Sequence, residues 1–151
     1  MLRHTLATLA YRAGKVLRDA PNGFGDFRQD SDSRSAGEIL AHMGDLMDWA
    51  ISIVQGQQAW KDSPPLAWHA EVDRFFAGLA RLDACLAATA PPDPLAACLF
   101  QGPVADALTH VGQLAMMRRM AGVPIRGENY FKADITAGRV GLDQPAPKRE
   151  F

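Results

Sequence analysis

Three residues combine metal-binding chemistry with helical spacing: His42, Asp106 and His110. Asp106 and His110 are four positions apart, which on an α-helix puts them about 40° apart around the axis and their Cβ atoms roughly 5–6 Å apart. A carboxylate and an imidazole at that separation can close on one metal ion, or can form a hydrogen-bonded or ionic pair with no ion between them. His42 lies three residues after Ile39 and four before Leu46, so it belongs to the inward stripe of an earlier helix. Two histidines and one carboxylate with free coordination positions are a catalytic arrangement for zinc and for non-haem iron. Periodicity alone leaves open whether His42 faces the other two.

Further candidates share the same faces. Glu38 and Asp45, four before and three after His42, are placed to orient its imidazole. Glu38 also completes a capping box, and Asp45 equally suits a solvated position. Gln113, three after His110, is within reach of a metal-bound water or a substrate, so Gln113 and Asp45 are the candidate catalytic residues. Trp49, Trp60, Trp68, Tyr130 and Phe131 are candidate pocket walls, although aromatics at such spacing ordinarily belong to the core. His4 and His69 have no partner in register and read as surface residues. Arg118 and Arg119 suit an anionic substrate, or solvated or inter-subunit salt bridges. No Ser or Cys arrangement for a protein-borne nucleophile is visible.

The elements that must hold these residues are helices. The first is expected from about Leu2 to Arg18, ended by Pro21, Asn22, Gly23 and Gly25. The second begins with the capping box Ser35–Glu38 and carries Ile39, Leu40, Met43, Leu46, Met47, Ala50 and Ile53 to a stop near Gly56. The third is expected to start after Ser63-Pro64-Pro65, with Ser63 as cap, and to run to Pro91-Pro92. Asp93 to Gln101 reads as an irregular or one-turn bridge, and a fourth long helix as Gly102-Pro103 to Ala121, stopped by Gly122 and Pro124. That helix is apolar on both flanks, so it needs extra cover from the C-terminal tail or from a second subunit. The tail, 123–151, is expected to fold back near one end of this helix, with a turn or two at Tyr130–Ile135 and an extended strap from Gly138. The fold expected is an all-α, up-and-down four-helix bundle, one domain over 1–151.

Composition narrows the function. The chain has 151 residues, 48% hydrophobic and 22% charged, with a formal net charge of −1. No Lys/Arg run exceeds the pair Arg118-Arg119, which argues against nucleic-acid binding. No apolar stretch is long enough to cross a bilayer. Arg3, His4, Arg12 and Lys15 interrupt the first fifteen residues, so no signal core is present and a cytoplasmic location is expected. Cys85 and Cys98, in Ala/Leu-rich surroundings, read as buried free thiols.

The segments Ser35-Ala36-Gly37-Glu38-Ile39-Leu40-Ala41-His42 and Asp106-Ala107-Leu108-Thr109-His110-Val111-Gly112-Gln113 give the chain a resemblance to the DinB/YfiT-like superfamily over nearly its whole length. The resemblance implies a metal-binding four-helix bundle with His42 and His110 as ligands. It also implies that Asp106 stands where that superfamily's pattern has a further histidine. A carboxylate is a competent ligand that adds negative charge and favours a harder cation. One divalent ion is implied, zinc, nickel, iron or manganese, in a metal-dependent hydrolase or transferase of a low-molecular-weight thiol acting on a small molecule. A homodimer is expected as well, because the fourth long helix is apolar on both flanks. The rival expectation is a non-catalytic, stress-related or metal-holding dimeric module whose site has degenerated at Asp106.

Overall fold

The computed structural model describes all 151 residues and is all-helical. Four long helices dominate: α1 (Leu2–Leu17), α2 (Ala36–Val54), α3 (Trp68–Ala88) and α5 (Ala105–Met120), with a short α4 (Asp93–Leu99) before the last. No helix is long and apolar enough to cross a membrane.

Each long helix forms for a readable reason. α1 buries Leu6, Leu9, Ala13, Val16 and Leu17 at helical spacing. α2 opens on the expected capping box: the Glu38 N–H donates to Ser35 Oγ, and the Ser35 N–H donates to Glu38 Oε2. α3 buries Val72, Phe75, Phe76, Leu79, Leu82 and Leu86. Gly78 brings α3 close to α2, since a Cβ there would sit 2.9 Å from that of Met47. Between α1 and α2, Gly23 takes the left-handed conformation (φ +80°) that starts a 3-10 turn over Phe24–Asp26, and Phe24 is buried edge-on to Trp68.

The packing order is set by the connections. α2 packs most extensively on α3 and also on α5, while α1 packs on α3 and α5. Consecutive helices α1 and α2 therefore lie across the core from one another, rather than forming the adjacent pair that short connections would dictate. The link between them, residues 18–35, is long enough to make that crossing.

Three boundaries differ from the expected ones. α3 begins at Trp68, and Ser63 does not cap it; Ser63 Oγ instead accepts from Arg74 at 3.3 Å, while the Ser63 N–H donates to Asp45 Oδ2 at 2.9 Å. The Pro64-Pro65 pair holds the chain extended for two more residues before helical geometry resumes. The bridge from Asp93 is helix α4, followed by a π-helical turn over Phe100–Val104 that runs directly into α5. Pro103 has no N–H to continue an α-helical ladder, and the wider turn absorbs the break.

The tail folds back as expected, but it clasps α1. Glu128, its carboxylate fully buried, accepts from Tyr11 Oη at 2.7 Å and from Lys15 Nζ at 3.0 Å, and Arg12 stacks on the Tyr130 ring. Backbone bonds from Asn129 to Arg149 and from Phe151 to Gly127 close the loop. Arg118 is buried rather than solvated. Its guanidinium donates to the carbonyls of Val16, Arg18 and Val123, tying the end of α1 to the start of the tail. Cys85 and Cys98 are free thiols, the first half-buried and the second exposed rather than buried.

Candidate metal centre

Two adjacent helices bring the three sequence-picked ligands together. The capping box fixes where α2 starts, and seven residues on, His42 emerges beside buried Met43 and Ile39 with its side chain 20% accessible. The π turn sets the rotation of α5, whose first and second turns present Asp106 and His110 toward α2. His42 Nε2 lies 3.3 Å from Asp106 Oδ2, and His110 Nε2 lies 3.3 Å from Asp106 Oδ1. The two imidazoles meet edge to face with centroids 4.9 Å apart. One donor atom from each residue can be chosen so that all three lie within 4.8 Å of one another.

The two 3.3 Å nitrogen–oxygen separations suit a shared cation better than direct hydrogen bonds. Charge-assisted N–H···O bonds run about 2.7–2.9 Å. Ligand atoms around a divalent ion with bonds of about 2.0–2.2 Å sit roughly 3–3.5 Å from their neighbours. Gln113 adds a second reason. Its Oε1 is 2.8 Å from His110 Nδ1, and an amide oxygen only accepts, so Nδ1 carries the donated hydrogen. The lone pair of Nε2 then faces a carboxylate oxygen, a repulsive contact unless a proton or a metal ion stands between them. The donor set fits one divalent cation, with two imidazole nitrogens and one oxygen from two helices.

The surroundings leave that centre approachable. His110 lines a 470 Å³ cleft with Gln113, Arg34, Ile39 and the methionines at 116, 117 and 120. Asp106, its side chain 45% accessible, borders a 440 Å³ cleft beside Trp49 and Thr109. His42 borders a smaller one of 140 Å³ that also holds Glu38, Asp45 and Asp62. Trp60 covers His42 edge-on at 5.5 Å and is braced by Trp49 at 5.7 Å, so these two of the five candidate aromatics wall the centre. Trp68, Tyr130 and Phe131 line none of the three clefts; Phe131 is fully exposed and Tyr130 belongs to the tail clasp.

The candidate orienting residues divide. Gln113 holds His110, as the ligand-supporting hydrogen bond of a metal site would. Asp45 is buried rather than solvated, and both its oxygens are engaged, one by Arg74 and the other by the Ser63 N–H. Burial pushes the Asp45 carboxyl up, but Arg74 and the Ser63 bonds outweigh it and hold it below the usual carboxylate range. No hydrogen bond joins it to His42. Glu38 serves the capping box, and the Ser35 N–H chiefly, with Arg28 nearby, holds its carboxyl low. His4 and His69 are exposed, as expected. Sequence reasoning missed Arg74 and Arg34. The only signal for either was adjacency, Arg34 to the α2 cap and Arg74 to the inward stripe of α3. No protein-family model, curated protein or solved structure matches the chain.

Proposed function

We propose that the protein is a metal-dependent enzyme of the DinB/YfiT-like kind, a four-helix bundle that holds one divalent ion on His42, Asp106 and His110. Its activity on this reading is thiol S-transfer or hydrolysis of a small molecule. The observation that carries the reading is the convergence of the three donor atoms within 4.8 Å of one another beside an open 470 Å³ cleft. A divalent ion held there lowers the pKa of a thiol or water and supplies a nucleophile near neutral pH. The chain's own contributions are positional. Gln113 fixes the His110 ring so that Nε2 points to the centre. Trp60 and Trp49 wall one side of His42. The cleft beside His110 is within the size range of small-molecule sites.

A homodimer in the cytoplasm completes the proposal. The two free cysteines agree with a reducing compartment. An apolar groove of 260 Å³ between Met1, Leu2, Ala96, Ala97 and Phe100 offers a subunit surface that shares no residue with the three clefts.

The deciding experiment is metal analysis of protein purified without chelator or metal-affinity resin, followed by thiol-conjugation and hydrolysis assays with and without the ion. Metal with metal-dependent turnover supports the enzyme. Metal without turnover favours a metal-holding module, the reading that the carboxylate at 106 invites. No metal after incubation with zinc, nickel, iron(II) and manganese overturns both.

A further inference from the structure

Arg34 stands immediately before the Ser35 cap of α2, exposed, with no hydrogen bond or ion pair. It lines both the 470 Å³ cleft beside His110 and the 140 Å³ cleft beside His42, and it is the only Lys or Arg lining any of the three clefts around the centre. The two clefts it borders differ in charge. The smaller contains Glu38, Asp45 and Asp62, which repel an anion. The larger contains no carboxylate, and its apolar surface comes from Ile39, Met116, Met117 and Met120, with Met116 and Met120 about half exposed. Flexible thioether side chains adapt to ligands of varied shape. A free guanidinium at the rim of an otherwise uncharged, methionine-lined cleft is a place for a planar anion with an apolar body.

We propose that Arg34 anchors the carboxylate of a small amphipathic substrate whose apolar part lies along Ile39, Met116, Met117 and Met120, with its reactive end toward His110 and the metal centre. That the ligand is a substrate with a reactive end rests on the proposed function, but the binding itself does not require the ion. Two features make the placement specific. Arg34 is held by its neighbour, because the capping box pins Ser35 at the start of α2. Gln113, on the same cleft, has its oxygen engaged by His110 and carries no charge, so the Arg34 guanidinium is the cleft's only Lys or Arg donor.

The test uses hexanoate and its neutral counterpart hexanol, titrated into the full chain both zinc-loaded and chelator-stripped, with binding read from the methionine methyl resonances. Hexanoate is expected to bind saturably and to shift the resonances of Met116, Met117 and Met120. Arg34→Gln should weaken hexanoate on the order of tenfold and leave hexanol unchanged, the size expected for one charge-assisted contact. Arg34→Lys should recover part of the loss, and Arg119→Gln, a charge on α5 outside the cleft, should have no effect. Equal hexanoate binding by the parent and Arg34→Gln, equal weakening of both ligands, or no saturable binding at all would overturn the inference. The stripped protein separates this result from the metal reading: an Arg34-dependent preference for hexanoate there upholds the anchor even if no ion ever binds.

Discussion

Gln113 Oε1 and His110 Nδ1 are 2.8 Å apart, and that one contact determines which nitrogen of His110 faces Asp106 and His42. Losing a hydrogen bond that orients a metal-bound imidazole typically costs about 10–100-fold in metal affinity. Gln113→Leu should therefore lower affinity by that order without a measurable change in Tm, because residue 113 is exposed. Gln113→Glu keeps an acceptor and should keep affinity. Competition with a chromophoric chelator measures both, and an unchanged affinity in Gln113→Leu would remove Gln113 from the site.

The ligand set is tested by four substitutions. His42→Ala, His110→Ala and Asp106→Asn should each lose bound metal after desalting. Asp106→His should retain it, since it exchanges one competent ligand for another. If the three residues form only a structural cluster, none of the four will change metal content. Asp106→Asn, at an exposed carboxylate, will then shift stability by about 0–1 kcal/mol, and His110→Ala, which empties a buried position, will cost more.

The Asp45–Arg74 pair makes a different prediction, about acid stability. The folded Asp45 carboxyl titrates below its unfolded value, so its stabilisation is present above the ordinary carboxylate pKa of about 4 and is lost as pH falls through the lower folded value. Asp45→Ala should destabilise by about 1–3 kcal/mol at pH 7, since the Ser63 N–H loses its acceptor and Arg74 keeps only Asp48 and Glu71 as carboxylate partners. It should also flatten the acid limb of a stability–pH curve. Denaturant unfolding at several pH values checks both, and a parallel shift at all pH values would contradict the linkage.

Arg118 is predicted to be structural. Arg118→Met leaves the carbonyls of Val16, Arg18 and Val123 without their donor and should cost about 2–3 kcal/mol. Arg118→Lys should recover little, because an ammonium cannot fork to carbonyls on two segments. Metal content should not change in either variant.

Light scattering decides the assembly. A homodimer gives about twice the 16.4 kDa chain mass, and Phe100→Asp in the apolar groove should halve it. A parent protein that is monomeric at micromolar concentration removes the dimer.

The parts of this architecture that were legible were those fixed by local chemistry. Ser35 and Glu38 are enough to start α2, and helical spacing alone put Asp106 and His110 on one face. The rest depended on distant partners. Ser63 has the composition of a helix cap, but Arg74, ahead on α3, takes its side-chain oxygen, and Asp45, on the preceding helix, takes its N–H. Arg118 reads as half of a surface charge pair because nothing nearby in sequence reveals the ends of α1 and the tail that bury it. The π turn was hidden because Gly102-Pro103 looks the same whether it begins a helix or interrupts one. Asp45 was open between orienting His42 and facing solvent, and Arg74 on α3 took it for neither.

The placement of α1 across the core from α2 also has a consequence for the order of events during synthesis. α1 is made before either of its packing partners, so it has no flank to dock on until α3 has emerged, and its other neighbour, α5, comes later still. The α2–α3 hairpin, by contrast, pairs consecutive helices, joined by residues 55–67, across the most extensively packed surfaces in the fold. Pulse-labelling hydrogen exchange during refolding should therefore find amides of α2 and α3 protected first. Protection of α1 should arrive with that of α5, and the clasp of residues 128–151 should come last, as the latch that holds α1 in place.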